Sequence, residues 1–283
     1  MIAKDILTPK FLEIKLEDTI SQMIGKMRKA KAHFALVFEG KKYLGLVGKK
    51  FLLTSKIDPH AMKVANIVKK RSKSKTPFYV PILSPDTKLQ EIARLMNTAD
   101  VHALPVMQND KVIGVVTAKD LAKAIAPEYK AVKAYELGSM KLKTAKESDE
   151  IGKLVELMHE KNIQHVPVVD KSGQLSGIVS TGNLIDEFLL WDAFKTQKIP
   201  GNAKHEPGKK KGYGTKDKIH LLRVPVEQIM TTAVCVASPD DTVTKAVQKM
   251  ESAGVTTAVL ARNNVPFGIL TLKDLFKDYA KSA

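Results

Sequence analysis

The feature that most constrains this chain is a fourfold internal repeat. Four amphipathic stretches, residues 19–27, 88–96, 150–158 and 242–250, each end on a methionine: Met27, Met96, Met158 and Met250. Apolar residues recur in them at i, i+3 or i+4, and i+7, the spacing of a helix with one buried face. That spacing makes the terminal methionines core residues. Ten residues beyond each methionine stands a short apolar run, at Val37, Val106, Val168 and Leu260. Eighteen beyond stands a glycine, Gly45, Gly114 and Gly268; in the third copy it is Gly177, at nineteen. The longer turn Asp170-Lys171-Ser172-Gly173 accounts for the extra residue. Each glycine opens a β-rich triplet, so apolar run, turn and glycine predict a hairpin. A second amphipathic helix follows, for example Asp120-Leu121-Ala122-Lys123-Ala124-Ile125. Upstream of each first helix a short strand meets a helix-start signal such as Ser238-Pro239-Asp240-Asp241-Thr242.

Each unit is therefore strand–helix–strand–strand–helix, about 55–60 residues long. One such unit leaves half a sheet uncovered and is too small to bury it well, so pairing of units is expected. The units divide the chain into 1–61, 62–126, 127–189 and 224–283. Two insertions fall outside the pattern: a basic stretch before the first helix of the second unit, and residues 190–223, rich in glycine and lysine.

Net charge is +16, from 46 Lys and Arg against 30 Asp and Glu. It is unevenly placed. Residues 1–125 carry +12, 126–189 carry −2, 190–223 carry +6 and 224–283 are neutral. The densest runs, Lys69-Lys70-Arg71-Ser72-Lys73-Ser74-Lys75 and 204–218 with Lys209, Lys210 and Lys211, lack long apolar residues and are expected to be loops. Such a balance raises the expectation of an anionic partner without naming it.

The second hairpin ends in Gly114-Val115-Val116-Thr117-Ala118-Lys119-Asp120, and the fourth in Gly268-Ile269-Leu270-Thr271-Leu272-Lys273-Asp274. The third has Gly177-Ile178-Val179-Ser180-Thr181-Gly182-Asn183, with Asn for Asp; the first, Gly45 to Phe51, has lost both polar positions. Four motifs in register with their helices resemble the cystathionine beta-synthase (CBS) domain. The resemblance implies an α+β fold of four CBS repeats paired into two Bateman modules, an architecture similar to that of the gamma subunits of AMP-activated protein kinase.

It also implies adenine nucleotides as regulatory ligands in clefts between paired repeats. The motif Asp is then expected at the ribose hydroxyls and the Thr or Ser at the phosphate. Carried over residue by residue, the nucleotide-binding candidates are Gly114, Thr117, Lys119 and Asp120 in repeat two, Gly268, Thr271 and Asp274 in repeat four, and Ser180 and Asn183 in repeat three. His102, six residues after Met96, and His165, seven after Met158, are added as phosphate ligands; His33 falls at the same place in repeat one. The chemistry is sound independently of family. A carboxylate accepts two vicinal hydroxyls, and a hydroxyl beside exposed N–H groups at a helix N-terminus forms an anion site. Thr-x-x-Asp at a helix start is equally a capping box, which needs no ligand.

Nucleophile, metal-ligand and phosphate-loop motifs of enzymes are lacking, so the chain is expected to be a non-catalytic regulatory module needing no cofactor and no metal. CBS repeats are fused to enzymes such as IMP dehydrogenase, but the four repeats leave no room for a catalytic barrel of about 250 residues. Its partners would be the nucleotide and an effector protein of unknown identity, with a homodimer of the whole as a further option. The alternative is an RNA- or ribosome-associated protein, with Lys69, Lys70, Arg71, Lys73, Lys209, Lys210 and Lys211 gripping phosphates. The single Cys235 excludes an intramolecular disulfide. No apolar run reaches 18 residues and no leader-like segment opens the chain, so a cytoplasmic protein without a membrane span is expected.

Overall fold

The computed structural model describes residues 1–30, 32–48, 62–66, 69–70, 80–185 and 222–281. Repeat one opens with β1 (Glu13–Lys15) and α2 (Ile20–Lys29), then the hairpin β2 (Phe34–Glu39) and β3 (Lys42–Gly48), preceded by a single turn, α1 (Ala3–Ile6). Repeat two has α3 (Leu89–Ala99), β5 (Ala103–Gln108), β6 (Lys111–Thr117) and α4 (Ala118–Ile125). Repeat three has β7 (Ala145–Lys146), α6 (Ile151–Glu160), β8 (His165–Val169) and β9 (Leu175–Ser180), with residues 181–185 helical. Repeat four has β10 (Val236–Ala237), α7 (Val243–Ser252), β11 (Thr257–Arg262), β12 (Val265–Thr271) and α8 (Leu272–Tyr279). Between these lie β4 (Lys69–Lys70) and the short helix α5 (Ala134–Leu137).

Local chemistry explains the elements. Before each first helix a side chain three residues on accepts the N–H of the residue leaving the strand: Asp18 for Lys15, Thr87 for Ser84, Asp149 for Lys146 and Asp241 for Ser238. The helices then bury the stripe that periodicity predicts. Met27, Met96, Met158 and Met250 are all buried. The hairpins of repeats two and four turn on Asn109-Asp110 and Asn263-Asn264, every residue at positive φ, as a tight two-residue connection of twisted strands requires.

The short strand runs parallel to the first hairpin strand: β1 on β2, β7 on β8 and β10 on β11. In repeat two it shrinks to a single bridge, Leu83 to Val106. The segment ahead of each repeat pairs with a different repeat. Ile2 bridges Lys88 and Thr8 bridges Val115, so the lead of repeat one lies on repeat two. Lys63 bridges Thr19, and β4 pairs antiparallel with β3, so the lead of repeat two lies on repeat one. Lys133 and Ser139 bridge Thr242 and Ile269, while Pro225 and Thr231 bridge Glu150 and Ile178. Leads are thus exchanged between repeats one and two and between three and four, the pairing of two Bateman modules.

This exchange corrects one expectation. Lys69 and Lys70 are not in a loop: their backbones satisfy the edge of β3, opposite Leu46 and Gly45. A hairpin strand left unpaired at its outer edge would expose its polar backbone, and the lead supplies the partner. Arg71, Lys73, Lys209, Lys210 and Lys211 lie outside the described residues.

The chain divides into two compact units. One comprises residues 1–140, 235–261 and 267–283; the other comprises 141–234 and 262–266. The core of the first runs through repeats one, two and four, from Leu36 and Leu46 to Leu104, Leu121 and Ile125 and on to Leu260, Leu275 and Phe276. Within it α3 and α4 pack against α7 and α8. The second has its own core, built on Ile151, Leu154, Val166, Val168, Val179 and Val226. Among the described residues no helix is long and apolar enough to cross a membrane.

Candidate functional site

The motif of repeat two sits where β6 turns into α4. Thr117 is the N-cap of α4 and Asp120 its third residue, and each caps the other. The Asp120 N–H donates to Thr117 Oγ1 at 3.2 Å, and the Thr117 N–H donates to Asp120 Oδ2 at 2.9 Å. The Thr117 hydroxyl donates to the same Oδ2 at 2.7 Å. Repeat four repeats this with Thr271 and Asp274 at the start of α8, at 2.8 and 2.7 Å. In repeat three Asn183 Oδ1 accepts the Ser180 N–H at 2.8 Å and its hydroxyl at 2.6 Å. The capping function is therefore complete in all three without a ligand. The single proton of the Thr117 hydroxyl is given to Asp120, so it is not offered to a phosphate in this state.

In repeats two and three the exchanged lead brings a further hydroxyl to the motif. Thr8 Oγ1 donates to Asp120 Oδ2 at 3.4 Å, while Asn183 Nδ2 donates to Thr231 Oγ1 at 2.9 Å. Thr8, Ser139 and Thr231 hold the same place, each bridged to the residue after its motif glycine. In repeat one that place is taken by Lys69, opposite Leu46. Among the described residues the donors Thr8 Oγ1, Thr117 N and Thr117 Oγ1 all converge on Asp120 Oδ2, and none of them uses Oδ1. Asn183 has instead committed its only oxygen to the cap and turned its amide to the lead.

The glycines are explained by the same crossing. A Cβ on Gly114 would stand 2.8 Å from the Thr8 carbonyl oxygen and 2.5 Å from Leu7 Cδ1. On Gly268 it would stand 2.9 Å from the Ser139 carbonyl oxygen, and on Gly177 2.5 Å from Met230 Sδ. The lead passes directly over each glycine, with its backbone nearest at Gly114 and Gly268 and a methionine side chain nearest at Gly177.

The sequence reasoning missed Thr8, Ser139 and Thr231, although a signal was present. They precede Met27, Met158 and Met250 by the same 19 residues. In repeat two Lys69 precedes Met96 by 27, which places the insertion after Lys69 and not across it.

Two expected site residues are placed differently. His102, Gln164 and Thr256 are equivalent: their carbonyls accept the first helical N–H, from Ala118, Thr181 and Leu272, at 2.9, 2.9 and 3.0 Å. His165 stands one residue further on, inside β8 and paired with Ser180, as Ala103 pairs with Thr117. A one-residue slip along a strand turns the side chain to the other face, so His165 is not the counterpart of His102; Gln164 is. Lys119 and Lys273, between the motif Thr and Asp, are directed away from the cap. The Lys119 amine donates to the Gly254 carbonyl at 2.5 Å, and Lys273 pairs with the Asp100 carboxylate.

Burial pushes the Asp274 carboxyl above its ordinary range, against the opposing pull of the Thr271 donors, Lys277 and Lys273. Burial likewise lowers the Lys273 ammonium, with Asp274 pulling it back up. Among the described residues no group of His, Cys, Asp and Glu is placed to hold a metal ion.

Hairpins joined to helices, exchanged leads and, in repeats two, three and four, capped glycine motifs define a protein of paired CBS repeats. The family model for the CBS domain matches residues 76–127, 134–190 and 226–281, more than half of the chain, and the chain belongs to that family. Among solved structures, protein MJ1225 from Methanocaldococcus jannaschii, described as a candidate archaeal homologue of γ-AMPK, superposes with a TM-score of 0.75. The match is 16% identical and covers 99% of this chain and 100% of that one. An uncharacterized conserved protein from Pyrococcus horikoshii superposes at 0.61, with 21% identity over 99% and 100% of the two chains. At these identities both likenesses concern the fold alone. Among curated proteins, inosine-5'-monophosphate dehydrogenase of Thermoplasma acidophilum is 31% identical over 111 residues, 39% of this chain and 22% of that one. Homoserine O-acetyltransferase of Methanococcus vannielii is 33% identical over 105 residues, 36% of this chain and 21% of that one. The chain thus spans less than a quarter of the length of these relatives.

Proposed function

We propose that this chain is a non-catalytic regulatory module that binds adenine nucleotides beside the motifs of repeats two and four. One observation carries the reading. At Asp120 a carboxylate stands between its own helix and the lead of the paired repeat, with every named donor on one oxygen. The other oxygen is chemically suited to accept a ribose hydroxyl. Thr8 and Ser139 frame the motifs of repeats two and four from the opposite side, and His102 borders the first of them. Repeat three, with Asn183 for the carboxylate, binds weakly or not at all.

The mechanism is differential binding. A nucleotide held between lead and motif favours one arrangement of the paired repeats, and an effector protein senses the change; the ligand must bind that arrangement more tightly. The short overlap with inosine-5'-monophosphate dehydrogenase and homoserine O-acetyltransferase supports a module that accompanies enzymes, with no catalytic function of its own. Calorimetry with AMP, ADP and ATP tests the reading. Saturable binding that Asp120→Ala and Asp274→Ala each reduce by one site is expected; no saturable binding to the native protein contradicts it.

A further inference from the structure

The lysine between motif Thr and Asp occurs in repeats two and four, which pack together, and is replaced by Gly182 in repeat three. Lys119 donates to the carbonyl of Gly254, and Lys273 pairs with the carboxylate of Asp100. These two targets are equivalent. Asp100 (φ 51°) and Gly254 (φ 70°) are the left-handed residues that end the turn after α3 and α7, each four residues beyond the terminal methionine. Two residues further on stand His102 and Thr256. Their carbonyls accept the N–H groups of Ala118 and Leu272, the first residues of α4 and α8. Ala118 and Leu272 adjoin Lys119 and Lys273.

The contacts therefore close on themselves. From the cap of repeat two, Lys119 grips the turn at Gly254; that turn carries Thr256, which holds Leu272 at the cap of repeat four. From there Lys273 grips the turn at Asp100, which carries His102, which holds Ala118. Around this ring the same packing is tied by Lys123 to Glu251, Tyr129 to Asp278 and Tyr279 to Glu128. Exposed ion pairs such as Lys123–Glu251 contribute little alone. Lys273 differs in being half-buried, and Lys119 in reaching a backbone carbonyl rather than a mobile carboxylate.

We propose that Lys119 and Lys273 are positioning residues that couple the motif sites of repeats two and four, so that occupancy of either site tightens the other. The ligand rests on the nucleotide reading above; the ring does not. A ligand seated on Asp120 orders the first turn of α4, and through Lys119 it orders the turn carrying Thr256. The second ligand then meets a site whose ordering has already been done, which is positive cooperativity. By linkage the effect is reciprocal, and a coupling at the lower end of the usual range corresponds to about 5-fold in affinity.

The first test needs no ligand. Hydrogen exchange is followed on the full chain and on Lys119→Met and Lys273→Met, which keep the aliphatic stem. Lys119→Met should speed exchange at the Leu272 amide, in the other repeat; Lys273→Met should do so at Ala118. Because the two are reciprocal, either variant alone decides if the other fails to fold. Faster exchange confined to the mutated repeat's own cap overturns the ring. The second test uses AMP. Site four should bind AMP about 5-fold more weakly in Asp120→Ala than in the native protein with site two filled, and Lys119→Met with Lys273→Met should abolish that difference. Equal affinities overturn the coupling. Absence of any AMP binding refutes the nucleotide reading and leaves hydrogen exchange to decide the ring.

Discussion

Repeats two and three build the same cap from different chemistry. In repeat two Asp120 closes the box and accepts a hydrogen bond from Thr8; in repeat three Asn183 closes it and donates a hydrogen bond to Thr231. Both helices begin equally well capped. What repeat three lacks is a spare carboxylate oxygen, a histidine before its hairpin and a lysine strut, since Gln164 and Gly182 stand there. The comparison separates two functions that one motif merges. Thr/Ser-x-x-Asp/Asn is sufficient to start a helix; only the aspartate version retains an acceptor for a ligand.

The largest expected effect is at the crossing of lead and motif. Gly114→Ala sets a Cβ against the backbone oxygen of Thr8, which cannot yield without moving the exchanged lead. Gly177→Ala meets first the side chain of Met230, whose Sδ and Cγ can shift to another rotamer. Denaturant unfolding should show a loss of about 2–3 kcal/mol for Gly114→Ala, the upper range for an overpacked core, and roughly half that for Gly177→Ala. Equal losses would mean that the lead is not rigidly held in repeat two.

Acid should distinguish the repeats next. Asp241, in the turn before α7, is subject to burial that would raise its carboxyl. Lys245, Lys249 and the Ser238 N–H outweigh this and hold it at about 2, against 3.8 ordinarily. A depressed folded-state pKa gives stability that is full above the unfolded value and lost as pH falls through the folded one. Between about pH 4 and pH 2 the protein should therefore lose roughly 1–2 kcal/mol from this group. Repeat two uses the uncharged Thr87 in the same turn and should lose none there. Asp241→Asn should flatten that portion of the stability–pH curve, measured by denaturant titration at each pH. An unchanged curve would show that the two turns respond alike to acid.

The smallest effect is on the caps themselves. Thr117→Ala and Ser180→Ala each remove a side-chain acceptor and should cost about 1 kcal/mol apiece by thermal or denaturant unfolding. A clear difference between them would break the claim that the two boxes are energetically alike.

Much of this architecture is legible in the amino-acid sequence. Helix periodicity places Met27, Met96, Met158 and Met250 in the core, and the fixed step from methionine to glycine marks the hairpins. These are local patterns, set by burial on one face and by turn chemistry. The lead exchange is not legible, because nothing local to Thr8 indicates a partner more than a hundred residues away at Val115. Only the constant 19-residue step to the methionine hints at it. His165 is misplaced by sequence spacing for a related reason. Distance from Met158 tolerates one extra residue, whereas strand register does not. Lys119 and Lys273 lie inside the motif by sequence, but side-chain length carries their charges to another repeat.

The central claim is that the carboxylate of Asp120 binds a nucleotide beyond its role in capping, and Asp120→Asn tests it most directly. The substitution gives repeat two the cap that repeat three already has, so unfolding stability should change by less than about 1 kcal/mol. Calorimetry with AMP on the same protein should lose one site, or at least tenfold in affinity there. If Asp120→Asn binds AMP with the stoichiometry and affinity of the native chain, the motif is a helix cap and nothing more.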